Sequence, residues 1–472
     1  MLLSALLGAF LAVVQGTPTR CAPETTPSED AEVVLRRVTV VSVHDGTMRP
    51  NQDLLIREGI IEAIGTTGTL ALPARVRIHD LPGKFVTPGL IDFHVHLRDT
   101  TELLSYLRHG VTTIIQLSGG LRGAPGTLGY RSDLLAGRRI GPTLYTTGPI
   151  LDGDPPINPS VSTAIASAAD AAATVRRQAA TCYDLVKVYN RLPAAALGAA
   201  VDEAHRLGKV VVGHVPRTGD RATALPAALD ARLDVIVHGE EFFFTHFHAG
   251  VDELLDQGVI PWRDTSGVGL VAQRVRDAGT AVIPNLSFVA ATRTQLDSID
   301  RLWSDPEFEY LAPAVRDEWR ERNFRRVAGV DRFSRRERAK EALLDRLTLA
   351  LSRAGVPLFL GTDASAVGLF PGASAHLELE QLVEAGLTPA AAIAAGTVTP
   401  GAFLCRRGIA PLPLGIVEQG ARADLLVLDA NPLSDVTAMK RIEAVVSRGR
   451  YFAATELDRL RMDARRTSRE RP

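Results

Sequence analysis

From residue 85 to residue 363 the chain alternates short apolar, β-branched runs with longer amphipathic stretches, and this alternation restricts the fold more than any other feature. Candidate strands fall at residues 85–97, 111–117, 143–150, 184–189, 209–215, 234–238, 281–287 and 356–363. Near-continuous apolar strands are buried on both faces, which calls for a parallel sheet with crossover helices. Eight strands are the number that closes a barrel, while the periodicity by itself shows only an α/β alternation of strands and helices. Several intervening stretches end in a basic residue with glycine just beyond, as at Arg206-Leu207-Gly208 and Arg276-Asp277-Ala278-Gly279, which is how helices stop.

β character of another kind flanks this region. Segments at 33–43, 53–57 and 60–64 are short and separated by turn pairs such as Asp45-Gly46 and Glu58-Gly59, and similar segments return at 420–429 and 442–449. Two β segments flanking an αβ region suggest one small sheet domain assembled from both ends of the chain. Residues 292–348 exceed a simple crossover and are charge-dense around 319–326, which suggests a solvated helical excursion over the barrel mouth. The arginine-rich tail, 458–472, reads as a frayed solvated helix.

The opening apolar run has the length of a signal-peptide core and is too short to span a bilayer comfortably, although it lacks a basic flank. With the Thr-, Pro- and Glu-rich stretch behind it, residues 1–30 are expected to be a signal peptide and spacer, and the protein to be exported without a stable membrane span. Lys and Arg number 53 against 54 Asp and Glu, so the net charge of −1 gives no footprint for nucleic acid and points to a small-molecule substrate. Three cysteines, Cys21, Cys182 and Cys405, are too few for a disulfide framework or a thiolate zinc site and read as incidental thiols. Oligomeric state is open, a homo-oligomer being compatible with the sequence.

The reactive side chains collect at strand ends. In Gly89-Leu90-Ile91-Asp92-Phe93-His94-Val95-His96 the two histidines lie two apart on the first strand, so both point to one side and can meet one metal ion. Lys187, His214, His238 and Asp363 follow, each at the carboxyl end of a candidate strand, where barrel enzymes keep their active sites. Taken singly, each histidine fits a satisfied core position and Asp363 a helix cap; together they fit a shared metal site, because buried polar groups need partners. Lys187 is the most informative. An ammonium offers a metal no lone pair and is costly in an apolar strand, whereas the neutral amine that burial favours can add CO2 to give a carbamate, a carboxylate able to bridge two cations.

The order His-x-His, Lys, His, His, Asp, the sequence Phe85-Val86-Thr87-Pro88-Gly89-Leu90-Ile91-Asp92 before the first pair, and Gly420-Ala421-Arg422-Ala423-Asp424-Leu425 near the end resemble the amidohydrolase superfamily over residues 33–452. The segments 372–380 and 385–393 are similar to its imidazolonepropionase-related branch, which includes metal-dependent dipeptidases and ochratoxinase-like amidases. The resemblance implies an α/β fold, a (β/α)8 TIM barrel over residues 85–411 with a small composite β-sandwich domain from residues 31–84 and 412–456, and two divalent metal ions, Zn(II) or else Mn, Co or Fe. His94, His96 and Asp363 would hold the buried ion, His214 and His238 the more exposed one, and carboxylated Lys187 would bridge them with a hydroxide. Asp363 would be the catalytic residue, taking a proton from the attacking water and delivering it to the leaving amine.

The implied reaction is metal-dependent hydrolysis of an amide C–N bond in a peptide or N-acyl amino acid. Arg98 resembles the arginine of the dihydroorotase pattern His-x-His-x-Arg and is a candidate for binding a substrate carboxylate, a surface ion pair with Asp99 or Glu102 being the alternative. Tyr189 and His376 are uncommitted. The alternative reading is a mononuclear cyclic-amide hydrolase or deaminase like imidazolonepropionase, whose pattern carries a glutamate where this chain has Arg217; Pro216 likewise replaces a tyrosine of the dipeptidases. A non-catalytic binding relative is the remote alternative, and all six ligand positions are present against it.

Overall fold

A computed structural model of the chain describes residues 32–119, 126–218, 221–247, 266–326 and 330–469, so the expected signal peptide and spacer lie outside the described residues. The first strands, β1 (Glu32–Val41), β2 (Met48–Arg57) and β3 (Ile60–Thr66), form an antiparallel meander. Its second reversal is made by Glu58 and Gly59, both left-handed at φ 51° and 79°, the conformations a tight hairpin requires. The short strands β4 (Arg77–Asp80) and β5 (Phe85–Pro88) run parallel to β1.

The stretch 85–97, expected as one strand, is two. β5 belongs to the terminal sheet and β6 (Leu90–Val95) begins a parallel one. Gly89 separates them where a Cβ would stand 2.3 Å from Thr112 Oγ1, so a side chain there would block the step. β7 (Val111–Gln116) and β8 (Thr143–Thr146) continue the parallel sheet from β6. A second parallel sheet holds β9 (Ile150–Gly153), β10 (Ser162–Ile165), β11 (Leu185–Val188), β12 (Val210–Gly213), β13 (Val235–Val237) and β14 (Ala281–Ile283) in the order β10-β9-β11-β12-β13-β14.

Single bridges join these sheets to each other and to the segment that follows: Thr147 with Leu185 of β11, Val282 with Leu358, and Val95 with Ala364. The stretch 356–363, expected as the eighth strand, therefore makes isolated contacts in place of a ladder. Pro357 has no N–H to give, and Asp363 turns left-handed at φ 64°. The expected strand at 281–287 also ends early, at Ile283, because Leu286–Asp297 is helical.

Alternation places the side chains. On β12, Val210 and Val212 pack in an inner cluster with Ile91, Phe93, Leu185 and Phe359, while Val211 packs outward against the helices. Near the carboxyl terminus, β15 (Leu425–Leu428), β16 (Ile442–Ser447) and β17 (Arg450–Ala453) return to the terminal sheet, which has eight strands in the order β17-β16-β15-β5-β1-β2-β3, with β4 paired to β1. Leu425 and Val427 join the core of this sheet, and Leu426 and Leu428 that of the main body, so β15 is buried on both faces.

The charge-dense excursion has an apolar core of its own. Trp319, on helix Pro313–Arg322, is 1% exposed, packs against Phe308 and Phe370, and donates its Nε1–H to Ser365 O at 3.3 Å. The tail is likewise anchored: helix Ala454–Arg469 buries Leu457 and Arg461, the latter paired with Glu307. Cys182 is disulfide-bonded, contrary to the expectation of an incidental thiol. No described helix is long and apolar enough to cross a membrane.

Candidate metal centre at the strand ends

Simple alternation delivers two of the expected side chains and deliberate breaks deliver the rest. Lys187 follows Leu185 on the inner face of β11, and His214 continues the inner face of Val210 and Val212 just past β12. Phe93 already faces inward, so His94 can do so only because the register shifts between Asp92 and Val95. Val237 also faces inward, and His238, its neighbour, adopts φ 73°. Asn285 and Asp363 have φ 54° and 64°. Left-handed backbone at non-glycine residues carries strain, and here it clusters at three successive strand ends.

The side chains converge. His94 Nε2 lies 3.2 Å from His96 Nε2 and 3.2 Å from Asp363 Oδ1, and His96 Nε2 lies 2.8 Å from that same oxygen. His238 Nε2 approaches Asp363 Oδ2 at 3.9 Å, and one ligand atom each from His94, His238 and Asp363 lie within 4.8 Å of one another. Ligands about 2.1 Å from a tetrahedral zinc are roughly 3.4 Å apart, so the His94–His96 spacing suits a shared ion.

Neighbouring groups set the tautomers. Asn285 donates its amide to Gly361 O at 2.7 Å, which leaves Oδ1 to accept from His94 Nδ1 at 3.0 Å and turns the Nε2 lone pair toward the cluster. His214 Nδ1 lies 2.8 Å from Asn190 Oδ1 and 3.1 Å from Glu241 Oε1, with the same consequence. Burial lowers the basicity of His94, His214 and His238, which favours neutral imidazoles able to bind a cation. Burial alone would raise the Asp363 carboxyl, but the facing imidazoles of His94, His96 and His238 hold it well below the ordinary carboxylate value.

Lys187 is 1% exposed, and its Nζ has no hydrogen-bond partner among the described residues. Burial pushes its amine down to about 7, against the opposing pull of Asp363 and Glu241. An orphaned buried amine within electrostatic reach of His94, His214, His238 and Asp363 fits a bridging carbamate better than an ammonium.

Arg98 does not join the cluster. β6 has ended before it, its guanidinium pairs with Glu318 on helix Pro313–Arg322, and its side chain is 41% exposed. The Tyr189 ring packs against His214 at a tilt, with ring centroids 4.2 Å apart, whereas His376, on helix Ala373–Glu384, is buried next to His109. Asn285, Asn190 and Glu241 were not expected at the site. A polar residue right after Ile283-Pro284 repeats the pattern of Gly361-Thr362-Asp363, and that signal could have exposed Asn285.

The amidohydrolase family model matches residues 85–451. The chain belongs to the amidohydrolase family. This amidohydrolase is 42% identical to a dihydroorotase of Carboxydothermus hydrogenoformans over 67 residues, 14% of this chain and 15% of that protein. It is 39% identical to ochratoxinase of Aspergillus niger over 94 residues, 20% of this chain and 18% of that one. The matched stretches thus span less than a fifth of those relatives. The structure of bottromycin amidohydrolase shares the fold, with a TM-score of 0.68 and 24% identity, covering 94% of this chain and 91% of that one.

Proposed function

We propose that this amidohydrolase hydrolyses an amide C–N bond, in a peptide or N-acyl amino acid, at a centre of two divalent metal ions. The observation that carries the reading is Lys187 Nζ, buried, unpartnered among the described residues and within electrostatic reach of His94, His214, His238 and Asp363. On this reading the amine carries a carbamate, and Zn(II) suits the nitrogen and oxygen donors. The bound metals would acidify water and polarise the scissile carbonyl. Asp363, held as a carboxylate by its imidazole neighbours, would accept the proton of the attacking water and return it to the departing amine.

The wider architecture fits this reading. β6, β7, β8, β11, β12, β13, β14 and the bridging segment 356–363 are taken as the eight strands of a barrel within residues 85–411, and the terminal sheet as a folded-over sandwich domain from 31–84 and 412–456, joined by β5. Export is supported by the disulfide at Cys182, since such bonds persist in oxidising compartments. Arg98 could bind a substrate carboxylate only by leaving Glu318, so its role is secondary.

Metal content per chain, measured by mass spectrometry on protein purified without chelator, tests the proposal beside Lys187→Ala. Two metals in the parent and fewer in the variant, with turnover of dipeptides or N-acyl amino acids, is the expected result. One metal in both would remove the lysine bridge and favour the mononuclear, cyclic-amide reading.

A further inference from the structure

Glu241 stands three residues beyond His238, yet its carboxylate serves the histidine of the neighbouring strand. Oε1 lies 3.1 Å from His214 Nδ1, and the side chain is 1% exposed. The same carboxylate is gripped by Arg217, with Nε donating to Oε2 at 3.1 Å and the terminal nitrogen donating to Oε1. A two-point fork of this kind fixes the plane of the carboxylate as well as its position.

Arg217 is itself held in place. Its backbone N–H donates to Asn190 O at 2.7 Å, and its guanidinium lies over the Phe244 ring, 4.2 Å from the centroid. The Asn190 side chain also accepts from His214 Nδ1. The imidazole N–H therefore faces two acceptors, one fixed by the strand-end loop and the other by the Arg217 fork. Among the described residues, neither Glu241 nor Arg217 makes a hydrogen bond or ion pair with His94, His96 or Asp363.

We infer that Glu241 and Arg217 are positioning residues for His214, and through it set the hold on the outer metal position while leaving the inner one to His94, His96 and Asp363. A carboxylate that accepts from the far nitrogen of a liganding imidazole orients the ring and makes its ligand nitrogen a better donor. Glu241, from the segment after β13, is thus the acidic partner of His214 at the end of β12, and Arg217, three residues past His214, fixes it in place. The inference rests on the binuclear reading above.

The test uses the full chain, dialysed against a graded series of chelator strengths, with metals per chain counted for the parent, Glu241→Gln and Arg217→Gln. Arg217 is partly exposed, so its variant guards against a folding failure at buried Glu241. Both variants are expected to give up one metal at chelator strengths about 10- to 100-fold weaker than the parent needs, and to keep the other as the parent does. Loss of both metals together with a lower melting temperature would indicate general loosening and overturn the inference, as would parent-like retention of both. A parent that holds a single metal would overturn the binuclear reading, and this inference with it.

Discussion

His94 and Asn285 form a locked pair: the histidine Nδ1 lies 3.0 Å from the amide oxygen, while the amide nitrogen is committed to Gly361 O at 2.7 Å. The residue that selects the histidine tautomer is thereby tied to the segment that carries Asp363. Asn285→Ala should free the ring to flip or change tautomer. Metal affinity is expected to fall by about 10- to 100-fold, read by competition against a chromophoric chelator, with little change in far-UV circular dichroism.

The state of Lys187 should respond to CO2 and to pH. Only the neutral amine adds CO2, and burial brings this amine down to about 7. After chelator treatment, Zn(II) uptake should increase with added bicarbonate and decline as the pH drops below about 7. In metal-free protein the folded lysine loses its proton near 7 and the unfolded one near 10.5, so between those values the unfolded state binds more protons and stability rises with pH. Denaturant titrations of metal-free parent and Lys187→Met should show that rise in the parent and its absence in the variant.

Trp319 fastens the excursion to the site, through apolar contacts with Phe308 and Phe370 and a hydrogen bond to Ser365, two residues past Asp363. Trp319→Ala is expected to cost about 3–5 kcal/mol of stability in denaturant melts, from lost burial and the cavity left behind. Trp319→Phe, which keeps most of the ring, should recover more than half of that loss.

Glu307 ties the carboxyl-terminal helix to the body through Arg461 and also meets His109 at 3.1 Å. Burial would raise its carboxyl, but His109 and Arg461 outweigh it and hold the group down to about 2. A carboxyl lowered on folding stabilises above its unfolded value of 4.5, and that contribution disappears as pH falls from there toward 2. Glu307→Gln should therefore lower the melting temperature at neutral pH, and the gap to the parent should close in acid.

Much of the site was legible because metal ligation restricts residue type. His94, His96, Lys187, His214, His238 and Asp363 announce themselves as ionisable groups at the ends of apolar runs, and the side chains of His94, His96, His238 and Asp363 converge, with the His214 ring 4.9 Å from that of His238. Asn285 and Glu241 were not legible, since an amide and a carboxylate each have many ordinary duties in a chain. Only a neighbouring imidazole from a distant strand gives them this one. Arg98 shows the converse: a spacing that suits the mouth of the site was overridden by Glu318, 220 positions away in the chain.

The sequence by itself determined the period of the elements, the apolar faces and the identity of the candidate ligands, because these follow from local chemistry and from alternation along a strand. Tertiary structure alone decided where alternation breaks. The register shift before His94 and the left-handed turns at His238, Asn285 and Asp363 are strained conformations that surrounding packing and hydrogen bonds stabilise, and no local pattern encodes them. It also decided which strands meet, since pairing across hundreds of residues depends on the faces buried when the whole core closes.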